Sequence, residues 1–272
     1  MKQSYVTFPD QIQLECPNRE EALAIYEDCK FYFQHGVRLK PGATVIDAGA
    51  HVGVFAGMVA TMCKGSATIH TFEPIPQTAS MLRRNVARMA PVRVHVYECA
   101  LGSMEGKLEF AYHPETPMLS SAFPEETTAE YLKLRETLIR NSSGIDTPPR
   151  LKALGVIPVF LRRVVLDRTL GCHFRFERVI CPVRRLADVI SEEAIANIDL
   201  LKINVEKSEE LLLAGLDSCW SIVRQAVIEV HDIDGRLQRI ESLLRQQRFG
   251  TVSVGQSDIM RGSEVYLVYA LR

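Results

Sequence analysis

TVIDAGAHVGVFA, residues 44–56, has the composition of a buried parallel strand that breaks into a glycine-bearing turn and continues as a helix. Val45 and Ile46 supply the strand, Asp47 stands at its end, and Gly49 and Gly53 flank a tight loop around Ala50 and His51. Glycines at such a turn let the backbone approach a ligand closely, and the helix N-terminus behind it offers N–H groups. A second acid, Glu73 in IHTFEP, ends the next strand-like run just before Pro74. In a nucleotide-binding half-sheet that position accepts hydrogen bonds from ribose hydroxyls. Together the two signals indicate an adenosine-containing cofactor.

Outward from this stretch the chain alternates. Residues 20–36 read as a helix followed by an aromatic segment, and Pro41-Gly42 turns into the first core strand. The helix after Gly53 ends near Lys64-Gly65, and ATIHTFEP is the second strand. Pro76 suits a first helical turn, and Ala79, Leu82, Val86 and Met89 share one helical face. VRVHVYECALG is expected as the third strand, with KLEFAYHP adding a short hairpin after Gly106. Between Glu115 and Arg178 the rhythm breaks into helical stretches around Pro148-Pro149. It resumes with VICPV, a short helix, DLLKINVE, the helix KSEELLLAGL, QAVIEVH and a long helix from Gly235. TVSVGQ and EVYLVYALR are close enough to form an antiparallel hairpin. Such alternation means an open α/β sheet with helices on both sides.

The expected domains are an N-terminal helical cap over 1–40, a core over 41–114 and 179–272, and a helical lid over 115–178. A hydrophobic content of 47% supports a full core, and a net charge of −1 argues against generic nucleic-acid binding. No run approaches the roughly 18 apolar residues of a membrane span, and no signal-peptide core is visible. Cys16, Cys29, Cys63, Cys99, Cys172, Cys181 and Cys219 form no C-x-x-C pair, so free thiols in a reducing cytoplasm are expected. Oligomeric state is not legible.

The loop spacing is D-x-G-x-x-x-G, whereas the pyrophosphate of NAD calls for G-x-G-x-x-G. S-adenosylmethionine (SAM) has no phosphate and tolerates a looser turn, so SAM is favoured over a dinucleotide. The terminal hairpin points the same way. VIDAGAHVG, HTFEP, ECALG, CPVRRLADVI, IDLLKINVEKSE and VIEVHDIDGRL, in this order, resemble the FkbM-type SAM-dependent methyltransferases. The likeness extends from about Tyr26 to Arg272 and is strongest to O-methyltransferase domains of polyketide synthase and nonribosomal peptide synthetase assembly lines. Many members carry LKIDVEG where this chain has Asn204 and Lys207 in place of Asp and Gly.

The resemblance implies a class I SAM-methyltransferase, Rossmann-like, with a seven-stranded mostly parallel sheet ending in an antiparallel hairpin. It implies that Asp47, Gly49 and Gly53 line the methionine end of SAM, with Ala50 and His51 in the same loop. Glu73 and Pro74 would meet the ribose, Cys99, Ala100 and Leu101 would border the adenine, and Ser120 and Ser121 would touch cofactor or substrate.

Methyl transfer from a sulfonium is an in-line displacement, so the enzyme must align the acceptor and remove its proton. Side chains alternate along strands, which puts Lys202, Asn204 and Glu206 on one face, and likewise Glu229 and His231. His231 is the expected general base, with Glu206 or Glu229 orienting its imidazole. No metal is expected, although Asn204, Glu206, His231 and Asp232 together would suit Mg²⁺. His70, His95, His113 and His173 lack partners at useful spacing.

From Tyr131 to Arg178 ten basic residues face four acidic ones. The basic set is Lys133, Arg135, Arg140, Arg150, Lys152, Arg162, Arg163, Arg168, Arg175 and Arg178; the acidic set is Glu136, Asp146, Asp167 and Glu177. This is either a solvated helical face or a surface for an anionic partner, such as a carrier protein holding the acceptor. The expected activity is O-methylation of a small-molecule or carrier-tethered natural-product intermediate, with no nucleic-acid or membrane partner. The alternatives are N-methylation, an NAD(P)-dependent oxidoreductase, and a SAM-binding module without catalysis.

Overall fold

Strand β3 (Ala43–Ala48), the first half of the opening motif, is buried along almost its whole length and has a parallel neighbour on each side. A strand covered on both faces needs apolar side chains at successive positions, which Val45 and Ile46 provide. The computed structural model describes residues 4–123, 133, 135–142, 153–169, 176–256 and 260–272. In chain order, a hairpin of β1 (Ser4–Thr7) and β2 (Gln13–Cys16) is followed by helix α1 (Arg19–Phe31), β3, α2 (Val54–Met62), β4 (Ala67–Phe72), α3 (Pro76–Val86) and β5 (Arg93–Tyr97). Then come β6 (Ala100–Leu101), β7 (Gly106–Tyr112), the lid region with α4 (Val159–Thr169), and β8 (Glu177–Arg184). The chain closes with α5 (Leu186–Glu192), β9 (Leu200–Ile203), α6 (Glu209–Ala214), β10 (Gln225–His231), α7 (Arg236–Gln246), β11 (Thr251–Gly255) and β12 (Val265–Leu271).

The main sheet has seven strands in the order β11-β12-β10-β9-β3-β4-β5. Five run parallel, and β12 is antiparallel to both β10 and β11, as the terminal hairpin predicts. Alternate residues feed two cores. Val45, Ile69, Leu200 and Val227 face α1, α2 and the N-terminal hairpin, while Ile46, Phe72, Leu201 and Ile228 face α5, α6 and α7. Strand order reverses between β3 and β9, which is where open α/β sheets bind ligands.

Three elements differ from the sequence reading. The N-terminal region contains the β1–β2 hairpin as well as a helix, tied to α3 by Asn85, whose side chain bonds both the N–H and the C=O of Glu15. The run VRVHVYECALG breaks after Tyr97, and β6 joins a separate three-stranded sheet of order β6-β8-β7. KLEFAY pairs antiparallel with residues 177–182 across the lid insertion, so VICPV lies outside the main sheet. The reason is a small core of its own, in which Phe110, Tyr112 and Cys181 pack on Ile75.

Asp47 and Lys202 lock the switch point. The Lys202 ammonium, at the end of β9, donates to Asp47 Oδ1 at 3.0 Å, Gly49 O at 2.8 Å and Ala48 O at 3.3 Å. Both side chains are almost wholly buried. Removing one member of such a pair strands a charge in the core. Lys202→Met is therefore expected to lower stability by about 3–5 kcal/mol in urea unfolding, and the Asp47→Asn, Lys202→Met double variant to recover part of that loss.

Candidate functional site

Strand register fixes what faces the ligand. Ala48 stands opposite Phe72 and Ile203, and Ile203 opposite Ile228. The next residue on each strand is then Glu73, Gly49, Asn204 and Glu229, which form one row across four adjacent strands at their carboxyl ends. All four line a cavity of about 770 Å³, together with Ala50, His51, Pro74, Cys99, Ala100, Leu101, Ser120, Glu206 and His231. Three expected residues do not line it: Asp47, Gly53 and Ser121.

Each of the three is engaged elsewhere. The Asp47 carboxylate is turned to Lys202. Gly53, at φ 94°, caps α2 where a Cβ would press on Leu82 of α3, so it allows two helices to pack closely. Ser121 pairs with Ala111 and its hydroxyl donates to Glu206 O at 3.4 Å. Ser120, although it lines the cavity, accepts the His113 N–H at 3.1 Å. Gly49, at φ 75°, is irreplaceable in shape, because a Cβ there would collide with the Asn204 carbonyl.

The loop amides separate the candidate cofactors. Gly49 N–H and Ala50 N–H both donate to Phe72 O, Gly53 N–H donates to Ala50 O, and His51 N–H donates to Glu73 Oε2. These four amides are therefore not available to a pyrophosphate. Glu73, by contrast, is presented to the cavity with its oxygens held by the His51 and Ile75 amides at 3.0 and 3.1 Å. Burial pushes its carboxyl up to about 7 against the pull of those amides. The His51 ring is buried beside Glu21, at 3.7 Å, and burial lowers it to about 4. These residues fit a nucleoside without phosphate.

The chemical end of the cavity is built around His231, the last residue of β10. Its Nδ1 lies 2.8 Å from Glu209 Oε1, and its Nε2 lies 3.5 Å from Glu206 Oε2. Glu209, fully buried at the start of α6, also accepts the Lys207 N–H at 3.2 Å and Arg236 Nη1 at 2.9 Å. Burial alone would raise Glu209, yet the His231 bond and Arg236 hold it below the usual carboxylate range. Nδ1 therefore carries a proton for Glu209, and Nε2 is the nitrogen that faces Glu206. The orienting carboxylate is thus Glu209, which the sequence reading did not single out. Its signal was present: Glu209 falls three and four residues before Leu212 and Leu213, the buried face of α6.

Glu229 also accepts the Tyr32 hydroxyl at 3.2 Å, and Tyr32 in turn accepts Asn204 Nδ2 at 3.0 Å. Glu206, Glu229 and His231 can bring one donor atom each within 4.8 Å of one another, a spacing suited to a positive charge. In the oxygen-rich set that would suit Mg²⁺, Asp232 instead accepts the Leu237 N–H at the start of α7. Burial disfavours the His231 imidazolium, but Glu206, Glu209 and Glu229 outweigh it and push the ring up to about 9. Burial likewise pushes Glu206 up to about 7.

Over the mouth, helical residues 135–141 and α4 share a small core of Leu138, Ile139, Leu154 and Leu166 with Met260. Five of the ten basic residues read from the sequence are engaged within the chain. Arg163 and Arg135 pair with Glu136, Lys133 with Glu264, and Arg178 with Glu109, while Arg162 donates to Ile157 O and Gly155 O. Arg140 lines the cavity without an ion pair among the described residues. Arg150, Lys152, Arg175, Asp146 and His173 lie outside the described residues, as do Pro148 and Pro149 and the side chains of Arg168 and Asp167. Cys172 lies outside them too; the other six cysteines are free thiols. No described helix is long and apolar enough to cross a membrane.

A family model described as "Methyltransferase FkbM domain" matches residues 47–250. The chain is 34% identical over 259 residues to the 31-O-demethyl-FK506 methyltransferase FkbM of Streptomyces tacrolimicus, covering 94% of this chain and 92% of that protein. It is 32% identical over 267 residues to the AMB antimetabolite synthetase AmbE of Pseudomonas aeruginosa, covering 94% of this chain but 12% of that much longer one. Methyltransferase sdnD of Sordaria araneosa is 30% identical over 207 residues, covering 75% of this chain and 73% of that protein.

The carboxylate ring around His231 makes a spectroscopic prediction. In the ligand-free protein the His231 imidazole is expected to titrate near 9, and in Glu209→Gln to move down towards its ordinary 6.5. The variant removes a negative charge that favours the imidazolium. Following the imidazole carbons by NMR across pH 5–10 checks the direction.

Proposed function

The chain belongs to the FkbM-domain family of SAM-dependent methyltransferases, and on that premise we propose that it methylates a hydroxyl oxygen of a natural-product intermediate with His231 as general base. The observation that carries this reading is the Glu209–His231 pair: a fully buried carboxylate fixes Nδ1, so that Nε2 is directed to the Glu206 side of the cavity. A base must be presented in one tautomer and one orientation to accept a proton within hydrogen-bond reach. The similarity to the Streptomyces 31-O-demethyl-FK506 methyltransferase, whose name places the methyl on an oxygen, supports an oxygen acceptor here.

SAM supplies an activated methyl group on a positively charged sulfur. The chain's own residues then have three tasks. Gly49 and Glu73 place the nucleoside, the row through Asn204 sets the level of the reacting groups, and His231 Nε2 takes the proton that the acceptor oxygen loses as its new C–O bond forms. Holding the partners in attack geometry is worth about 7–11 kcal/mol of the barrier. In the ligand-free cavity the surrounding acids favour the imidazolium. A positive ligand charge in the same cavity works against that protonation and favours the neutral base.

A cavity of about 770 Å³ is large enough for a cofactor and an acceptor together. Leu119, Met118 and Leu211 give it apolar lining and Arg140 a cation with no ion pair among the described residues, which suits a lipophilic acceptor carrying an anionic group. Such an acceptor is either a free small molecule or one tethered to an acidic carrier protein. Similarity to a segment of a synthetase supports the tethered form.

His231→Gln is expected to reduce turnover by about 10²–10⁴-fold while leaving SAM affinity within a factor of about three. Single-turnover methyl transfer and titration calorimetry on the same preparation measure the two. Turnover near that of the wild type would remove His231 from the mechanism.

A further inference from the structure

Asp28, in the last turn of α1, lines the cavity and has no hydrogen bond or ion pair with any described residue. Resting on the cofactor reading of the cavity, we infer that Asp28 and Glu229 form the subsite for the α-ammonium at the amino-acid end of the cofactor, opposite the ribose subsite at Glu73.

The row of strand ends sets the geometry. Glu73 and Glu229 occupy its two extremes, on β4 and β10, with Gly49 and Asn204 between them. Three interstrand spacings separate them, about 14 Å, a span that matches a nucleoside extended by an amino-acid tail. Glu229 lies two residues before His231 on the same strand, so its backbone stands level with the cofactor loop while its carboxylate also comes within 4.8 Å of a His231 nitrogen.

Charge selects the occupant. No lysine or arginine pairs with Asp28 or Glu229 among the described residues. The Lys202 ammonium, which also lines the cavity, is committed to Asp47 and two carbonyls. The C-terminal end of α1 adds partial negative charge beside Asp28. Burial, then Glu229 and Glu27, push Asp28 up to about 8, which marks a carboxylate that lacks a cation. Asp28 and Tyr32 are four residues apart and share a helix face, and the Tyr32 hydroxyl holds Glu229 in place. An ammonium brings donors to both carboxylates and removes their repulsion.

Titration calorimetry with S-adenosylhomocysteine and with its deaminated analogue, in which hydrogen replaces the amine, tests the assignment. The wild type is expected to bind the amine-bearing ligand about 10–100-fold more tightly, the worth of a charge-assisted hydrogen bond. Asp28→Asn should lose that preference by weakening only the amine-bearing ligand, whereas Glu73→Gln should weaken both alike. Because folding disfavours ionised Asp28 between its ordinary 3.8 and about 8, Asp28→Asn should melt no lower than wild type at pH 8. Equal affinity of the wild type for the two ligands overturns the inference, with no variant needed. So does an Asp28→Asn protein that keeps the preference, or one that changes only the acceptor's KM. Failure of the wild type to bind S-adenosylhomocysteine at all would instead overturn the cofactor reading beneath it.

Discussion

The buried ion pair between Asp47 and Lys202 is the constraint on which the site depends. Three parallel strands, β4, β3 and β9, must end at one level for the cavity floor to exist, and nothing in a parallel ladder fixes where the loops after them begin. Lys202 fixes it by placing its ammonium under Asp47 and the carbonyls of Ala48 and Gly49. The Gly49 backbone is thereby drawn against the Asn204 carbonyl so closely that only glycine fits. Asp47 was expected at the ligand and is found beneath it. A charge in the core costs several kcal/mol unless it is paired, so this pair contributes position more than net stability.

With one lysine consumed in that way, the cavity floor is left acidic. Asp28, Glu73, Glu206 and Glu229 all line it, Lys202 is spent on Asp47 and Arg236 on Glu209, and Lys207 lowers Glu206 without cancelling its burial. In the ligand-free protein the protonated forms are favoured: His231 is pushed up to about 9, Asp28 to about 8, and Glu73 and Glu206 to about 7. Every one of these shifts opposes the accumulation of negative charge. A cofactor with a sulfonium and an ammonium relieves the same strain, and the loop amides committed to Phe72 O are not available to an anionic one. Electrostatics therefore selects between two cofactors that glycine spacing alone separates only weakly.

The fold was legible in the sequence where periodicity and turn residues agree. The β3–β4 half-sheet, the terminal hairpin and the faces of α3 and α7 follow from local patterns, and Glu73, Glu206, Glu229 and His231 follow from their strand-end positions. What was not legible required contacts between distant residues. Residues 107–112 pair with 177–182 across the lid, a register no local signal encodes. The role of Asp47 depends on Lys202, 155 positions later, and the orientation of His231 on Glu209, 22 positions earlier. The partners of the basic lid residues were hidden for the same reason: Lys133 finds Glu264 only in three dimensions. Charge counted along a chain ignores the partners that folding supplies.

Asn204 and Lys207, the two departures from the LKIDVEG run, are explained by their surroundings. Asn204 uses its side-chain N–H as a donor to the Tyr32 hydroxyl, which leaves the hydroxyl proton free for Glu229. An aspartate there is acceptor-only, would compete with Glu229 for that proton, and would add a further negative charge to the floor. Asparagine keeps the relay running in one direction, from Asn204 through Tyr32 to Glu229. At 207 the backbone is left-handed, at φ 75°, following Glu206 at φ 44°. Glycine accepts such a conformation freely, whereas these two residues store about 1–3 kcal/mol each. The Lys207 N–H bonds Glu209 in return, and the turn carries Glu206 to the face of His231 that Glu209 does not occupy. Strain at this corner is therefore spent on giving one imidazole two carboxylates, one to fix it and one facing its reactive nitrogen.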